Sequence, residues 1–313
     1  MKLLLLSLML FGQCMAQTIT TKEAKKFGKE LSSIIKKNSI FSDSLDFDAI
    51  EKDFEEHIDT LDTYKKVGYY YTGKLRKAGD RHSFYITQTE IDNFSQKQKE
   101  NLAFNYKLLE GNIGCLEIPG FLNSDITVVN EFANRIQNAI RELDSKNNLK
   151  GWIIDLRNNS GGNMWPMVVG LNPLIGTNTV PGYFKKAGKN ETAEEWQVSS
   201  PHNKIVIEQP YQLKATPPKI AVLYSKKTAS SGEMTAICFI GLPNTKSFGE
   251  NTAGLTTANR IFNMGNDNLL VLASSYTMDR NKKIYTGSIV PDVQVSSNDD
   301  DSVLQKALNW LKE

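Results

Sequence analysis

Residues 220–240 read IAVLYSKKTASSGEMTAICFI, in which an apolar run passes through a polar turn into a second apolar run. The unbroken apolar character of residues 220–224 predicts a short strand that is buried on both faces. The second run, residues 234–240, predicts a helix that begins near Ser231. A buried strand that leads directly into a helix is typical of α/β folds with parallel strands.

The chain before this unit shows the same order of elements. Residues 152–156 (WIIDL) predict another buried strand, and residues 113–118 predict a strand before it. The segment between them, residues 128–143, has the helical spacing of an amphipathic helix. Its apolar positions are Val129, Phe132, Ala133, Ile136, Ile140 and Leu143. This alternation of strands and helices predicts an α/β core with a mainly parallel sheet.

The segments around this core predict the domain organisation. Residues 17–78 carry apolar residues on one helical side, such as Phe27, Leu31 and Ile34, and show no strand-like alternation, which predicts a small helical N-terminal domain. The core then spans residues 79–298, and residues 299–313 predict a C-terminal helix. Residues 163–215 interrupt the core pattern with Gly, Pro, Asn and Trp, so we expect an inserted segment that caps a site.

The first seventeen residues, MKLLLLSLMLFGQCMAQ, resemble a secretory leader. Lys2 precedes an apolar run that is too short to span a bilayer, and Cys14-Met15-Ala16 resembles a cleavage site. We therefore expect residues 1–16 to be a cleaved signal peptide and the protein to be secreted or periplasmic. Lipoprotein anchoring through Cys14 is the less favoured alternative, because the large Gln13 fits a lipobox poorly. No later stretch predicts an integral membrane span.

Composition and charge exclude several classes of protein. The chain is 40% apolar and 23% charged with a net charge of +2, so no global basic field indicates nucleic-acid binding. The chain contains only three His and three Cys, which excludes a zinc finger or a disulfide-stapled miniprotein. Cys115 and Cys238 lie in apolar surroundings, so we expect buried free thiols rather than a disulfide.

The strand-to-helix turn at residues 228–234 (TASSGEM) contains the strongest candidate nucleophile. Ser230 lies near a predicted helix N-terminus, where free N–H groups and the helix dipole favour developing negative charge. This position suits a serine that attacks a carbonyl carbon. The alternative is purely structural, because Ser230 and Glu233 also have the spacing of a capping box.

Two further segments supply candidate partners for this serine. Gly161 and Gly162 follow the end of a buried strand and can expose backbone N–H groups, which an oxyanion hole requires. An ordinary strand-to-loop turn is the alternative at these two glycines. His82 is the best candidate base, although a lone histidine is often structural. His57 lies on a Glu-rich helical face, and His202 lies in the predicted insertion.

Five segments together resemble the tail-specific, or C-terminal processing, serine protease family, which has a crotonase-like (ClpP/crotonase) core. They are residues 80–83 (DRHS), 153–162 (IIDLRNNSGG), 228–233 (TASSGE), 248–254 (FGENTAG) and 289–293 (IVPDV). Each segment alone is weakly specific, whereas their joint order is specific. The resemblance implies a crotonase-like α/β fold and hydrolysis of peptide bonds by a nucleophilic serine.

Within this family, the chain is most similar to the histidine-using branch, which includes tricorn-core-like and nisin-resistance proteases. The serine-lysine branch carries its catalytic lysine where this chain has Leu255, which cannot accept a proton. The DRHS segment instead resembles that of the histidine-using branch. Residues 161–167 (GGNMWPM) resemble the nisin-resistance type in particular.

Two other departures concern the acid and a missing module. The tricorn-like proteases carry a glutamate shortly before the segment that corresponds to residues 289–293, but residues 284–289 (IYTGSI) contain no carboxylate. We therefore expect a Ser230–His82 dyad, with His82 oriented by Ser83 or by a backbone carbonyl. The interval from His82 to Ile113 is too short for the peptide-binding PDZ module that many relatives carry.

The resemblance also implies a mechanism. Ser230 is expected to attack the carbonyl carbon, and His82 is expected to accept its proton. Backbone N–H groups of Ser231 and of Gly161 or Gly162 are expected to bind the oxyanion. No metal ion and no organic cofactor are implied.

The expected partner is a peptide or protein that adds a strand to an exposed sheet edge, and no nucleic-acid partner is expected. An antimicrobial peptide is one candidate, suggested by residues 162–166. The alternative function is a non-catalytic carrier of a peptide or hydrophobic ligand, because the resemblance extends to a retinoid-binding relative that uses this core without hydrolysis.

Overall fold

The computed structural model describes residues 18–99, 103–176, 181–186, 193–195, 204–215, 218–295 and 300–313. The predicted leader of residues 1–16, with Cys14, lies outside the described residues, and so does His202. No helix of the described ranges is long and apolar enough to cross a membrane.

The predicted parallel sheet is present within the described residues as one of two six-stranded sheets. Its strands, in spatial order, are β12 (Val293–Gln294), β8 (Thr245–Gly249), β7 (Ile220–Tyr224), β4 (Gly151–Asp155), β3 (Ile113–Glu117) and β2 (Tyr106–Leu109). The first five are parallel to their neighbours, and β2 pairs with β3 in antiparallel orientation.

The second sheet is antiparallel and is built around one long strand, β10 (Asn268–Asp279). The other strands are β1 (Phe84–Thr87), β5 (Gly182–Lys186), β6 (Glu194–Glu195), β9 (Thr257–Asn263) and β11 (Ile284–Tyr285). Strand β1 runs along residues 268–271 of β10, and β9 runs along residues 269–276. This sheet brings together segments that lie far apart in the chain.

Helices cover both faces of the parallel sheet. They are α5 (Ile126–Lys146), α6 (Met164–Gly170), α7 (Asn172–Ile175) and α8 (Ser231–Ile237) on one face, and α9 (Asp300–Lys312) on the other. On β4, Trp152 and Ile154 pack with the first group, whereas Ile153 packs with α9. This alternation explains why the strand has an unbroken apolar sequence.

The N-terminal helices are α1 (Thr21–Asn38), α2 (Phe47–Glu56) and α3 (Tyr64–Lys77). Helix α1 begins at a capping box, in which Thr20 and Glu23 each accept a hydrogen bond from the other's backbone. The apolar faces of the three helices form one cluster with Tyr85, Leu270 and Leu272 of the second sheet. The boundary expected at residue 79 therefore lies inside one packed unit, because helices and sheet share a hydrophobic core.

The cap expected over residues 163–215 is not one uniform segment. Helices α6 and α7 lie in the core beside α5, with Met167 and Val168 fully buried, so residues 164–175 do not form a cap. Strands β5 and β6 belong to the second sheet. Residues 204–215 lie along α5, where Tyr211 donates a hydrogen bond to Asp144 over 2.9 Å. Helix α4 (Gln88–Lys99), between β1 and β2, was not predicted at all.

The two cysteines among the described residues are buried free thiols, as the sequence predicts. Cys115 packs with α9 on one face of the parallel sheet, and Cys238 packs with α5 and α6 on the other. The sheet itself therefore separates them. Burial raises the pKa of the Cys115 thiol to about 12 and raises that of Cys238 as well, so neither is a reactive thiolate at neutral pH.

Candidate active site

Ser230 and His82 meet at the junction of the two sheets. The Ser230 Oγ atom lies 2.9 Å from Nε2 of His82, although the residues are 148 positions apart in the chain. Ser230 follows β7 and immediately precedes α8, whereas His82 lies two residues before β1. The parallel sheet thus supplies the candidate nucleophile, and the antiparallel sheet supplies the candidate base.

The backbone of Ser230 has an unusual conformation, with φ of 52° and ψ of −120°. Non-glycine residues rarely adopt a positive φ, and such strain persists only where the surroundings enforce it. A sharp strand-to-helix turn of this kind exposes the serine hydroxyl at the end of the sheet. Here it directs the hydroxyl towards His82.

Glu233 holds this turn in place from the protein interior. Its buried carboxylate accepts hydrogen bonds from the Ser230 N–H at 2.9 Å and from the Thr252 hydroxyl at 2.5 Å. The N–H groups of Gly254 and Leu255 donate to the same carboxylate, each over 2.8 Å. Burial raises the pKa of Glu233, and these four donors oppose that effect. The hydrogen bond from the Ser230 N–H to Glu233 is part of the capping box that was the structural alternative for Ser230. Because it uses the backbone N–H and not the hydroxyl, it is compatible with a nucleophilic role.

His82 is held on both sides of its imidazole ring. Nδ1 lies 2.8 Å from the hydroxyl oxygen of Thr257 on β9, and Nε2 faces Ser230. The backbone carbonyl of His82 accepts a hydrogen bond from the Asn259 side chain over 3.0 Å. Burial lowers the pKa of His82, while the charge of Asp80 and a hydrogen bond to the Thr257 backbone act in the opposite direction. A neutral ring that donates from Nδ1 leaves the Nε2 lone pair free to accept the serine proton.

Ser83 does not orient the His82 ring as expected. Its hydroxyl donates to Asp80 over 2.5 Å and accepts the N–H of Ala273 over 2.8 Å. These two contacts direct the hydroxyl towards Asp80 and β10, so Ser83 positions Asp80 instead. The hydroxyl beside Nδ1 belongs to Thr257, which the sequence did not single out, because it lies 175 positions from His82.

The two glycines differ in the state of their N–H groups. The Gly161 N–H donates to the Asn159 side chain over 3.0 Å, so it is not free for an oxyanion. Among the described residues, no acceptor faces the N–H of Gly162 or of Ser231. The Ser231 hydroxyl donates to the Gly162 carbonyl over 2.5 Å and holds these two backbones together. The expected oxyanion donors therefore reduce to Ser231 and Gly162.

Gly161 is required here for a steric reason instead. Its φ is 107°, and a Cβ atom would lie 2.8 Å from Cβ of Ser230 and 2.9 Å from the Ala229 carbonyl.

A cleft of about 1120 Å³ opens at the dyad between the sheets and the N-terminal helices. One wall is the outer face of the second sheet, with Phe84, Ile86, Ile261, Leu269 and Val271. The opposite wall carries Leu122, Met164, Trp165, Met234 and Leu255. Leu255, which stands at the lysine position of the serine-lysine branch, is thus an apolar wall residue. Among the described residues, no cluster of His, Cys, Asp and Glu could hold a metal ion.

A sequence profile of peptidase family S41 matches residues 112–295 of the chain. The chain belongs to peptidase family S41. The match includes Ser230 and both glycines, whereas His82 lies before it. This S41 peptidase is also similar to the Nisin-resistance protein of Lactococcus lactis subsp. lactis. The two are 31% identical over 276 residues, which cover 87% of this chain and 82% of that protein.

Solved structures share the fold of this chain. A lipoprotein from Streptococcus agalactiae has a TM-score of 0.78 at 25% identity, covering 100% of this chain and 99% of the other. The photosystem II D1 C-terminal processing protease has a TM-score of 0.60 at 10% identity, covering 94% and 98% of the two chains, and so shares the fold. These matches confirm the predicted crotonase-like α/β fold and the predicted class, a serine peptidase that acts on peptides or proteins.

Proposed function

We propose that this S41 peptidase is a secreted or periplasmic serine endopeptidase that works through a Ser230–His82 dyad and an acyl-enzyme. The distance of 2.9 Å between Ser230 Oγ and His82 Nε2 carries the proposal. It is a direct nucleophile-to-base hydrogen bond, which a general base requires. The depressed pKa of His82 supports it further, because the ring is then neutral at physiological pH.

In the proposed mechanism, Nε2 of His82 accepts the proton of Ser230 as the serine oxygen bonds to the carbonyl carbon of the substrate. The negative charge that develops on the carbonyl oxygen is stabilised by the N–H groups of Ser231 and Gly162. The imidazolium then donates its proton to the leaving amine, and the peptide C–N bond breaks. Water releases the acyl group by the same two proton transfers, which restores Ser230.

The substrate is proposed to enter the cleft as an extended peptide with apolar side chains. Apolar residues on both walls, such as Trp165, Met234 and Val271, favour such side chains, although charged residues also line the cleft. Ala258 and Asn259 of β9 line the cleft, and within the described residues β9 pairs only with β10. Its second edge can therefore pair with a peptide strand.

An antimicrobial peptide is the proposed biological substrate. The 31% identity with a protein named for nisin resistance supports this choice. Purified enzyme incubated separately with nisin and with an unfolded generic protein tests it by mass spectrometry. Cleavage of nisin at a defined bond, with little cleavage of the generic chain, is the expected result. Equal cleavage of both would make the enzyme a general protease.

Hydrolysis by the dyad is tested with Ser230→Ala and His82→Ala, each assayed on a peptide library. Both variants are expected to lose hydrolysis while keeping the wild-type melting temperature. Ser44→Ala and His57→Ala are matched controls at exposed positions and are expected to keep full activity. Hydrolysis retained in both Ser230→Ala and His82→Ala would refute the dyad.

Secretion is tested by determining the N-terminus of the protein recovered from its native host. Cleavage before Gln17 is the result we expect. A lipid on Cys14 is the alternative outcome. The similarity to a protein described as a lipoprotein supports this alternative. An intact Met1 on protein recovered from the cytoplasm would contradict both.

A further inference from the structure

We propose that Thr257 and Asp80 share the task that a carboxylate performs in a catalytic triad. The Thr257 hydroxyl orients the His82 ring, and the buried Asp80 carboxylate stabilises the imidazolium through space without contacting the ring. This inference rests on the proposed function, because it assumes that His82 is protonated during catalysis.

The position of Asp80 is fixed by three donors. Oδ1 accepts the N–H groups of His82 and Ser83, each over 2.9 Å, and Oδ2 accepts the Ser83 hydroxyl. The Asp80 N–H in turn donates to the Leu75 carbonyl at the end of α3. Asp80 is only 1% exposed. Its carboxylate is thus rigidly held beside the backbone of the residue whose charge it would stabilise.

All three donors to Asp80 are neutral groups. Among the residues that the structure describes, no side-chain nitrogen of a Lys, Arg or His lies within 4.0 Å of its carboxylate. A buried carboxylate without a cation is costly, so such residues are rarely tolerated without a compensating gain. The imidazolium of His82 supplies a cation when the serine proton is transferred. The negative charge of Asp80 is therefore complementary to the transition state, in which His82 is positive, rather than to the resting state, in which His82 is neutral.

Thr257 performs the orienting part of the task. When Nε2 accepts from Ser230, Nδ1 carries the proton and donates it to the Thr257 hydroxyl over 2.8 Å. This contact selects the tautomer that a general base requires, which is one role of the triad carboxylate. A hydroxyl is a dipole without net charge, so Thr257 stabilises the imidazolium only through this short-range hydrogen bond, and the stabilising negative charge has to come from Asp80.

Other charged groups near His82 are less suited to the electrostatic role. Glu233 lies behind Ser230, and its carboxylate is enclosed by four donors. Arg81 and Arg260, on the same segment and on β9, are exposed to solvent, which screens them. Asp80 is the group whose charge raises the pKa of His82, against the larger effect of burial.

The direction of the expected pH effect follows from this charge. Because Asp80 raises the pKa of His82, its neutralisation lowers that pKa further. The acid limb of kcat/KM reports protonation of the free base, so it moves to lower pH in Asp80→Asn. The plateau rate falls at the same time by about tenfold, because the imidazolium that forms during catalysis loses the stabilising charge of Asp80. A purely structural defect would lower the plateau without moving the limb.

The experiment compares pH profiles of kcat and kcat/KM for wild type, Asp80→Asn, Thr257→Val and Thr257→Ser. Asp59→Asn is the matched control at an exposed position and should keep the wild-type profile. Thr257→Val should lower kcat with KM unchanged, and Thr257→Ser should restore it, because the serine retains the hydroxyl. Asp80→Ser keeps a short acceptor without charge and replaces Asp80→Asn if that variant does not fold.

The inference is overturned if Asp80→Asn keeps the wild-type acid limb, if Thr257→Val is as active as wild type, or if neither uncharged variant of Asp80 folds. Failure of the proposed function gives a different result, because Ser230→Ala would then remain active. The inference alone fails when Ser230→Ala is inactive and Asp80→Asn has a normal pH profile.

Discussion

The two halves of the candidate active site come from regions that are organised differently. Ser230 comes from the parallel sheet, where strand, turn and helix follow one another within residues 220–237. His82 and Thr257 come from the antiparallel sheet, where long-range register brings them together across 175 positions. Local sequence therefore determines the geometry of the nucleophile, whereas pairing with β10 determines the position of the base.

Removal of the nucleophile is expected to have the largest effect. Ser230→Ala should lower kcat/KM at least about 10,000-fold, because loss of the attacking oxygen removes the covalent route. The melting temperature should stay the same, because the substitution removes no side-chain contact except that with His82. Steady-state hydrolysis and calorimetry measure both quantities, and a loss of less than tenfold would contradict the assignment.

Gly161→Ala should have the next largest effect. The new methyl group would approach Ser230 Cβ to 2.8 Å at a φ of 107°, so the turn around the serine has to move. We expect kcat to fall about 100-fold from misplacement of the nucleophile. We also expect the free energy of unfolding to fall by about 1–3 kcal/mol.

The control for Gly161→Ala is Gly73→Ala, which adds a methyl group in open space on α3. It should leave kcat unchanged. Equal effects of the two substitutions would show that the backbone around Ser230 tolerates displacement.

Glu233→Gln tests whether the local half of the site depends on one buried carboxylate. The amide NH₂ group would replace one acceptor oxygen and face backbone N–H groups, which leaves buried donors without partners. We expect the free energy of unfolding to fall by about 3 kcal/mol and kcat to fall about tenfold. Chemical denaturation and kinetics measure these changes, and a variant with wild-type values would exclude the role of Glu233 in holding the turn.

The pH dependence of the wild-type enzyme tests the role of His82 as the base. Burial lowers the pKa of His82 below its ordinary value of 6.5, and the base acts only when neutral. The acid limb of kcat/KM should therefore lie below pH 6.5, and activity should disappear as the pH falls through that limb. A limb above pH 6.5 would indicate that the ring is less buried or that another base operates.

Ile261→Ser should have the smallest effect. Ile261 is 60% exposed on β9 and lines the cleft away from the dyad. Loss of its apolar surface should raise KM for an apolar peptide about threefold and leave kcat unchanged. A change in kcat instead would mean that β9 affects the reaction rather than substrate binding.

The same contrast explains what the sequence could predict. Strands β4 and β7 and helix α5 were predictable because burial on two faces or on one stripe leaves a distinct apolar pattern. Ser230 was predictable because its position at a strand-to-helix turn is local. Helix α4 was missed, since residues 88–99 are mostly polar and show little helical periodicity.

Other details of the site depend on tertiary contacts that no local sequence pattern predicts. Thr257 is one of two adjacent threonines, and only the register of β9 on β10 shows which of them faces His82. Gly161 and Gly162 look equivalent in sequence, but the Asn159 side chain occupies the N–H of the first. Ser83 or a backbone carbonyl is the expected partner of the His82 ring, whereas the Ser83 hydroxyl faces Asp80.

Covalent labelling with a fluorophosphonate probe shows directly whether Ser230 is the nucleophile that His82 activates. Digestion with trypsin should give residues 228–246 as one peptide, and fragmentation of it can separate Ser230 from Ser231. We expect one phosphonylated residue, Ser230, with labelling abolished by Ser230→Ala and slowed at least 100-fold by His82→Ala. Labelling at another residue, or labelling that persists in Ser230→Ala, would contradict this role of Ser230.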